Sequence, residues 1–349
     1  MRIAQVAPLY ESVPPKFYGG TERVVYFLTE ELMKKGHDVT LFASGDSNTS
    51  AKLVPACSES LRLSKNYQDH LVNHILLVEK VFQQYYNFDL IHFHIDYLPF
   101  SMIRYHSDVT CVSTIHGRLD IKDLYPLYQE FSEIPLVSIS NAQRFPVLSA
   151  NWIGTVYHGI PKNMYRFYKE TGEYLAFLGR ISPEKGVGTA IEIAKKFEMP
   201  LKIAAKIDEY NPDYFETRIK KLIDHPMVEY IGEIDEKDKN EFLGRAYALL
   251  FPIVWPEPFG LTMIESMACG TPVIAFPYGS VPEIMVEGKT GYIVHNIESA
   301  LKALKLIEKF DRATCREVFE DRFTSSRMVD DYINIYNQLI HGRKPVLLS

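Results

Sequence analysis

Cysteine is scarce in this chain of 349 residues: Cys57, Cys111, Cys269 and Cys315 lie far apart, with no C-x-x-C pair among them. That spacing argues against a disulfide framework or a compact zinc motif and fits reduced thiols in a cytoplasm. Positive charge is not in excess. With 38 Lys and Arg against 44 Asp and Glu the net charge is −6, and the basic residues are scattered, so no nucleic-acid partner is expected. No uncharged apolar stretch approaches the roughly 18–20 residues of a membrane span. The apolar run after Arg2 ends before Glu11, too short for a secretory leader. The expectation is a soluble, cytoplasmic protein without a transmembrane segment. Low-complexity segments and internal repeats are also missing.

What the chain does have is length and rhythm. Single cores stop growing at roughly 250–300 residues, so two domains are expected. Apolar, strand-like runs recur at residues 2–7, 38–43, 89–93, 110–115, 136–140 and 153–157. A helical pattern carrying Val24, Val25, Leu28 and Leu32 follows the first run and stops at Gly36. After a polar stretch the rhythm restarts at 174–178, 201–207, 228–231, 248–252, 272–276 and 292–294. Strands alternating with helices imply parallel sheets covered on both faces, six strands in each half. The domains are expected at residues 1–160 and 161–324, with no flexible spacer and with a cleft between them as the binding site. A last helix, about 325–342, carries Met328, Tyr332, Ile335, Tyr336 and Leu339 at helical spacing, which reads as packing.

The most informative segment runs from Trp255 to Ala275. Glu257 and Glu265 stand eight positions apart around a helix start. Pro256 and Pro258 stiffen the loop, and the amides of Phe259, Gly260 and Leu261 at the head of the helix favour an anion such as a diphosphate. Glu265, on the shoulder of a stripe made by Leu261, Ile264 and Ala268, is expected to be half buried, where two ribose hydroxyls would satisfy it. Taken alone, Glu265 reads more readily as an ordinary helix-surface charge, because most helix glutamates are solvated.

The whole string resembles the E-x7-E element of retaining glycosyltransferases of family four, glycosyl transferases group 1. That resemblance implies the GT-B architecture: α/β, two facing Rossmann-like domains with parallel sheets, the first on the acceptor side and the second binding the nucleotide sugar. Other segments agree with it. Gly179-Arg180-Ile181-Ser182-Pro183-Glu184-Lys185-Gly186 is similar to the family's G-R-x-x-x-x-K-G signature, in which both cations bind the leaving diphosphate. Lys16-Phe17-Tyr18-Gly19-Gly20-Thr21-Glu22 resembles the glycine-rich loop that covers donor phosphates and acceptor. It is not G-x-G-x-x-G, which disfavours a dinucleotide oxidoreductase. His116, before Gly117, stands where the family places a histidine near the donor sugar and phosphates, and Gly279 opens a loop resembling one near sugar and nucleotide. His158-Gly159 replaces the Asn-Gly of many relatives, and the terminal helix is implied to cross back onto the first domain. His92, His94 and Asp96 cluster at another strand end; H-x-H can suggest a metal, but no third ligand spacing is apparent, and His94 and Asp96 are candidates for lining an acceptor pocket.

The resemblance implies transfer of a hexose from a nucleotide-sugar donor, UDP-glucose or a close analogue, to the hydroxyl of a small-molecule, glycan or lipid-linked acceptor. Configuration would be retained by front-face substitution, with no metal and no cofactor. Glu257, Arg180, Lys185 and His116 would act at the reacting centre, and Gly19, Gly20, Glu265, Phe259, Gly260, Leu261 and Gly279 would bind the donor. Acceptor choice would lie in residues 45–65 and 97–128. Because some relatives glycosylate lipids, peripheral membrane contact stays open, although no strongly basic amphipathic helix is evident. Two other readings stand beside this one: a sugar-nucleotide epimerase of the same fold, and a non-catalytic carbohydrate-binding relative.

Overall fold

The computed structural model describes residues 1–16, 19–62, 64–106, 108–208 and 211–342. The chain forms two compact units, the first made of 1–159 with 325–349 and the second of 160–324. Phe17 and Tyr18 of the glycine-rich segment lie outside the described residues.

The first unit is built on strands β1 (Arg2–Val6), β2 (Asp38–Ser44), β3 (Lys52–Cys57), β4 (Leu90–Phe93), β5 (Cys111–Thr114), β6 (Leu136–Ser138) and β7 (Trp152–Thr155), interleaved with helices α1 (Gly20–Lys34), α2 (His70–Phe82), α3 (Phe100–Tyr105) and α4 (Leu124–Glu130). They form one parallel sheet in the order β3-β2-β1-β4-β5-β6-β7. The strand count corrects the six expected here. The additional strand, β3, lies at the sheet edge, contains Pro55 and is mostly half-exposed; a proline has no N–H to donate to a ladder, so the run does not read as a central strand.

The second unit is built on β8 (Tyr174–Ile181), α5 (Val187–Phe197), β9 (Leu201–Ile207), a helical stretch with α6 (Pro212–Tyr214) and α7 (Lys220–Ile223), β10 (Val228–Gly232), α8 (Glu236–Gly244), β11 (Ala246–Phe251), α9 (Leu261–Ala268), β12 (Val273–Ala275), α10 (Val281–Ile284), β13 (Gly291–Ile293), α11 (Ile297–Leu306) and α12 (Arg312–Arg322). Its parallel sheet runs β10-β9-β8-β11-β12-β13. The chain then returns to the first unit as α13 (Ser325–Gly342).

Strand periodicity sorts the side chains of each sheet. In the first unit Ala4, Val6, Ile91, Phe93, Cys111 and Ile115 enter an apolar core with Phe42, Leu77 and Val81. Intervening residues point to the opposite face. There Gln5, His92 and Thr114 are all buried and polar, and hydrogen bonds tie them to the Tyr332 and Tyr336 hydroxyls of α13. Met328, Val329, Tyr332 and Tyr336 are fully buried, so the amphipathic spacing of α13 does reflect packing. Its two phenols also carry polar contacts that the spacing does not reveal. In each sheet the strand order reverses once, between β1 and β4 and between β8 and β11, and in open parallel sheets ligands bind beyond the carboxyl ends of such strands.

Candidate active site

At the β8/β11 reversal three loops converge. The turn after β8 packs on the loop after β11: Val254 donates its backbone N–H to the Glu184 carbonyl at 2.9 Å, and a Cβ on Gly186 would lie 2.0 Å from the Pro252 oxygen. The loop after β12 closes on the same segment. Ser280 donates its N–H to the Glu257 carbonyl at 2.9 Å and its hydroxyl to the Phe259 carbonyl at 2.8 Å. Gly279, at φ 59°, leaves no room for a side chain, since a Cβ would sit 2.3 Å from the Glu257 nitrogen and oxygen. Glycine is required there by conformation and by contact.

This scaffold brings Lys185 to Glu257. The ammonium lies 2.5 Å from Glu257 Oε2 and 4.7 Å from the centre of the Trp255 ring, while Trp255 Nε1 donates to the same carboxylate oxygen at 3.0 Å. Arg180 is engaged elsewhere. Its guanidinium donates to Glu184 at 2.9 Å and lies 3.8 Å from Asp208. Burial pushes the Glu184 carboxyl up, but hydrogen bonds from Ser182 and a backbone amide, with the Arg180 charge, outweigh burial and hold it below the usual range.

Glu265 differs from the half-buried carboxylate expected. It is 2% exposed, and Lys239, on α8, approaches its Oε1 at 3.2 Å. Lys239 also meets Glu236, which accepts a hydrogen bond from the Tyr165 hydroxyl. A buried carboxylate needs such a partner, and this one comes from an element 26 residues away in sequence. Between the two glutamates Phe259 is buried, Gly260 takes φ 84°, and α9 starts at Leu261 with no side-chain cap on its first-turn amides. Lys185, Glu257, Trp255 and the head of α9 thus form one cluster of cation, acceptor and backbone donors.

The first unit holds a second cluster beyond β4 and β5. His94 is 2% exposed and bonded at both ring nitrogens, Nδ1 to His116 Nε2 at 2.9 Å and Nε2 to Gln5 Oε1 at 2.8 Å. It is an internal link rather than the pocket-lining residue expected, because neither nitrogen is left for a ligand. His158 stacks on His116 with ring centres 5.3 Å apart at 18°. Burial pushes His116 down to about 3 and His92, His94 and His158 well below the usual range, so the four rings are neutral near pH 7. Asp96 takes φ 51°, and burial lifts its carboxyl to about 6 against hydrogen bonds from the His116 and Gly117 amides. Gly19 and Gly20 open α1, two residues ahead of the buried Glu22.

Sequence reading missed Lys239, Trp255, Glu184, Gln5 and the stacking role of His158. Trp255 stood inside the quoted segment and Glu184 inside the cationic turn, so proximity to a motif was the available signal. Lys239 and Gln5 carried none. Among the described residues, no group of three or more His, Cys, Asp or Glu side chains could hold a metal ion, and no helix is long and apolar enough to cross a membrane.

Residues 166–317 match the family described as Glycosyl transferases group 1, and residues 18–150 match Glycosyltransferase Family 4. The chain belongs to this family of glycosyltransferases. The first match spans Lys185, Trp255 and Glu257, and the second spans His94, Asp96 and His116. An uncharacterized 41.2 kDa protein in the cps region of Klebsiella pneumoniae is 30% identical over 46% of this chain and 45% of its own length. The O-antigen chain mannosyltransferase C of Escherichia coli is 21% identical over 97% of this chain and 100% of its own. Among solved structures, sucrose-phosphate synthase from Thermosynechococcus elongatus is 18% identical with TM-score 0.79, covering 98% of this chain and 100% of that one. Anabaena HepE in complex with UDP and glucose is 16% identical with TM-score 0.76, covering 97% and 100%. These structural likenesses fix the GT-B fold of the glycosyltransferase.

Proposed function

We propose that this glycosyltransferase moves a hexose from a UDP-glucose-like donor to an acceptor hydroxyl with retention of anomeric configuration and without a metal. The observation that carries the proposal is the meeting of Lys185 with Glu257 and Trp255 at the uncapped head of α9. An incoming diphosphate competes with Glu257 for the Lys185 ammonium. Once Lys185 turns to phosphate, Glu257 is released to accept hydroxyls of the donor sugar. Arg180 and the Gly260 and Leu261 amides stabilise the charge that grows on the leaving group, and Glu265, steadied by Lys239, takes the ribose. The acceptor oxygen bonds to the anomeric carbon as the bond to the diphosphate breaks, and the acceptor proton passes to a phosphate oxygen. The cations of the chain supply what a divalent ion would otherwise supply.

The UDP lean rests on the Anabaena relative, solved with UDP and glucose. Relatives named for mannosyl and N-acetylglucosaminyl chemistry show that the sugar varies among similar proteins. The acceptor is proposed as a hydroxyl on a small molecule, a glycan or a lipid-linked sugar. Testing begins with nucleotide sugars screened for thermal stabilisation, followed by acceptor assays with the best donor and anomeric assignment of the product. Lys185→Ala is expected to cut transfer by about 10²–10³ while circular dichroism is unchanged. Normal turnover in that variant, or a strict metal requirement in excess EDTA, overturns the assignment of charge. An epimerised donor with no transfer product identifies an epimerase instead.

A further inference from the structure

The histidine chain of the first unit has a direction. Gln5 donates from Nε2 to the Tyr336 hydroxyl at 3.1 Å, which turns Oε1, an acceptor with no hydrogen, toward His94 Nε2 at 2.8 Å. His94 Nε2 therefore carries the hydrogen. A neutral imidazole has a single N–H, so His94 Nδ1 is a lone pair and the nitrogen 2.9 Å away, His116 Nε2, supplies the hydrogen between them. His116 then keeps a lone pair on Nδ1. That atom is closed off from bulk water and has no hydrogen-bond partner among the described residues. The same order extends along the opposite arm: a Tyr336 hydroxyl that accepts from Gln5 turns its own hydrogen to His92 Nδ1 at 2.7 Å, which leaves the His92 hydrogen on Nε2, 2.7 Å from Thr114 Oγ1. Burial keeps every ring in the chain neutral, as this counting requires.

The segment after β4 supplies a second acceptor. Asp96 rests its carboxylate on the backbone N–H groups of His116 and Gly117, and its Oδ1 is buried without a hydrogen-bond partner among the described residues. The residue is held at φ 51°, in the left-handed region that aspartate enters more readily than most residues. The ends of β4 and β5 therefore present two acceptors, a ring nitrogen and a carboxyl oxygen. Such a pair matches a ligand that brings hydrogens, as a polyol does, and repels a phosphate oxygen, which brings only lone pairs.

We propose that Gln5 is a positioning residue which, through His94, holds His116 with its Nδ1 lone pair presented, so that the first unit receives a hydroxyl hydrogen of the substrate rather than a phosphate oxygen. The hydroxyl assignment rests on the hexosyl-transfer reading above; the proton order in the ring does not. Long-range proton–nitrogen correlation on the full chain, labelled at histidine nitrogen, reads the tautomers directly. At pH 7 His116 is expected with its hydrogen on Nε2, and Gln5→Met and the near-isosteric Tyr336→Phe are expected to shift it toward the other tautomer. In the same variants UDP binding stays within about twofold, while turnover of UDP-glucose falls about tenfold, the size of one lost hydrogen bond. A wild-type His116 protonated at Nδ1, or variants that leave its pattern unchanged, overturns the proposal, as does an equal loss of UDP affinity. The expected tautomers in a protein that transfers from no nucleotide sugar uphold the relay and sink the hexosyl-transfer reading.

Discussion

Glu22, in the first turn of α1, is 5% exposed, and burial lifts its carboxyl to about 7 despite hydrogen bonds from its own amide and that of Glu11. The native state thus binds a proton that the unfolded chain, with an ordinary value of 4.5, releases earlier. Stability tied to neutral Glu22 is whole below about 4.5 and is lost as the pH rises through about 7. Glu22→Gln is expected to stabilise the protein at pH 8, by up to roughly 3 kcal/mol, and to do little at pH 4. Urea unfolding at the two pH values checks this, and a loss at pH 8 larger than at pH 4 would show that the carboxylate is needed charged. Individual chemical types were legible in the sequence at this scale, and their partners were not. Lys185 and Glu257 were both visible as candidates, yet 72 residues separate them, and only the β8/β11 pairing makes them one ion pair.

Among elements, the loop carrying Glu257 depends on its neighbours more than on its own prolines. Gly279 packs its backbone against Glu257 at a positive φ, so Gly279→Ala is expected to cost about 1–3 kcal/mol and to displace the Trp255–Glu257 segment. The predicted signature is a lowered thermal midpoint with a disproportionate loss of nucleotide binding; an unchanged midpoint would mean that the loop moves aside freely. The strand Leu201–Ile207, apolar but for Lys202 and Lys206, was readable to the residue. Lys52–Cys57 was not, because an edge strand with a proline and half-exposed side chains offers no run to read. The polar stripe of Gln5, His92 and Thr114 was hidden for a related reason. Period two places His92 with His94 and Thr114 with His116, but strand order, which sequence does not display, puts β1 beside β4 and β4 beside β5.

For the whole molecule, the two repeating rhythms made a pair of parallel α/β sheets legible, since alternating strands and helices admit few other architectures, while the GT-B assignment came from resemblance. The return of α13 to the first unit came from resemblance alone, because an amphipathic stripe does not say which sheet it covers. A chain ended at Thr324 loses the buried Met328, Val329, Tyr332 and Tyr336 from the first unit and nothing from the second. Hydrogen exchange on that shortened chain is expected to show lost protection in β1, β4 and β5 with β8 to β12 still protected; uniform protection would make α13 dispensable. The reach of this helix also sets an order in time. Gln5 leaves the ribosome 331 residues ahead of the hydroxyl that orients it. A nascent glycosyltransferase therefore cannot fix the proton on His116 until α13 has emerged, and translation products that stop short of α13 would leave that ring without its hydrogen order.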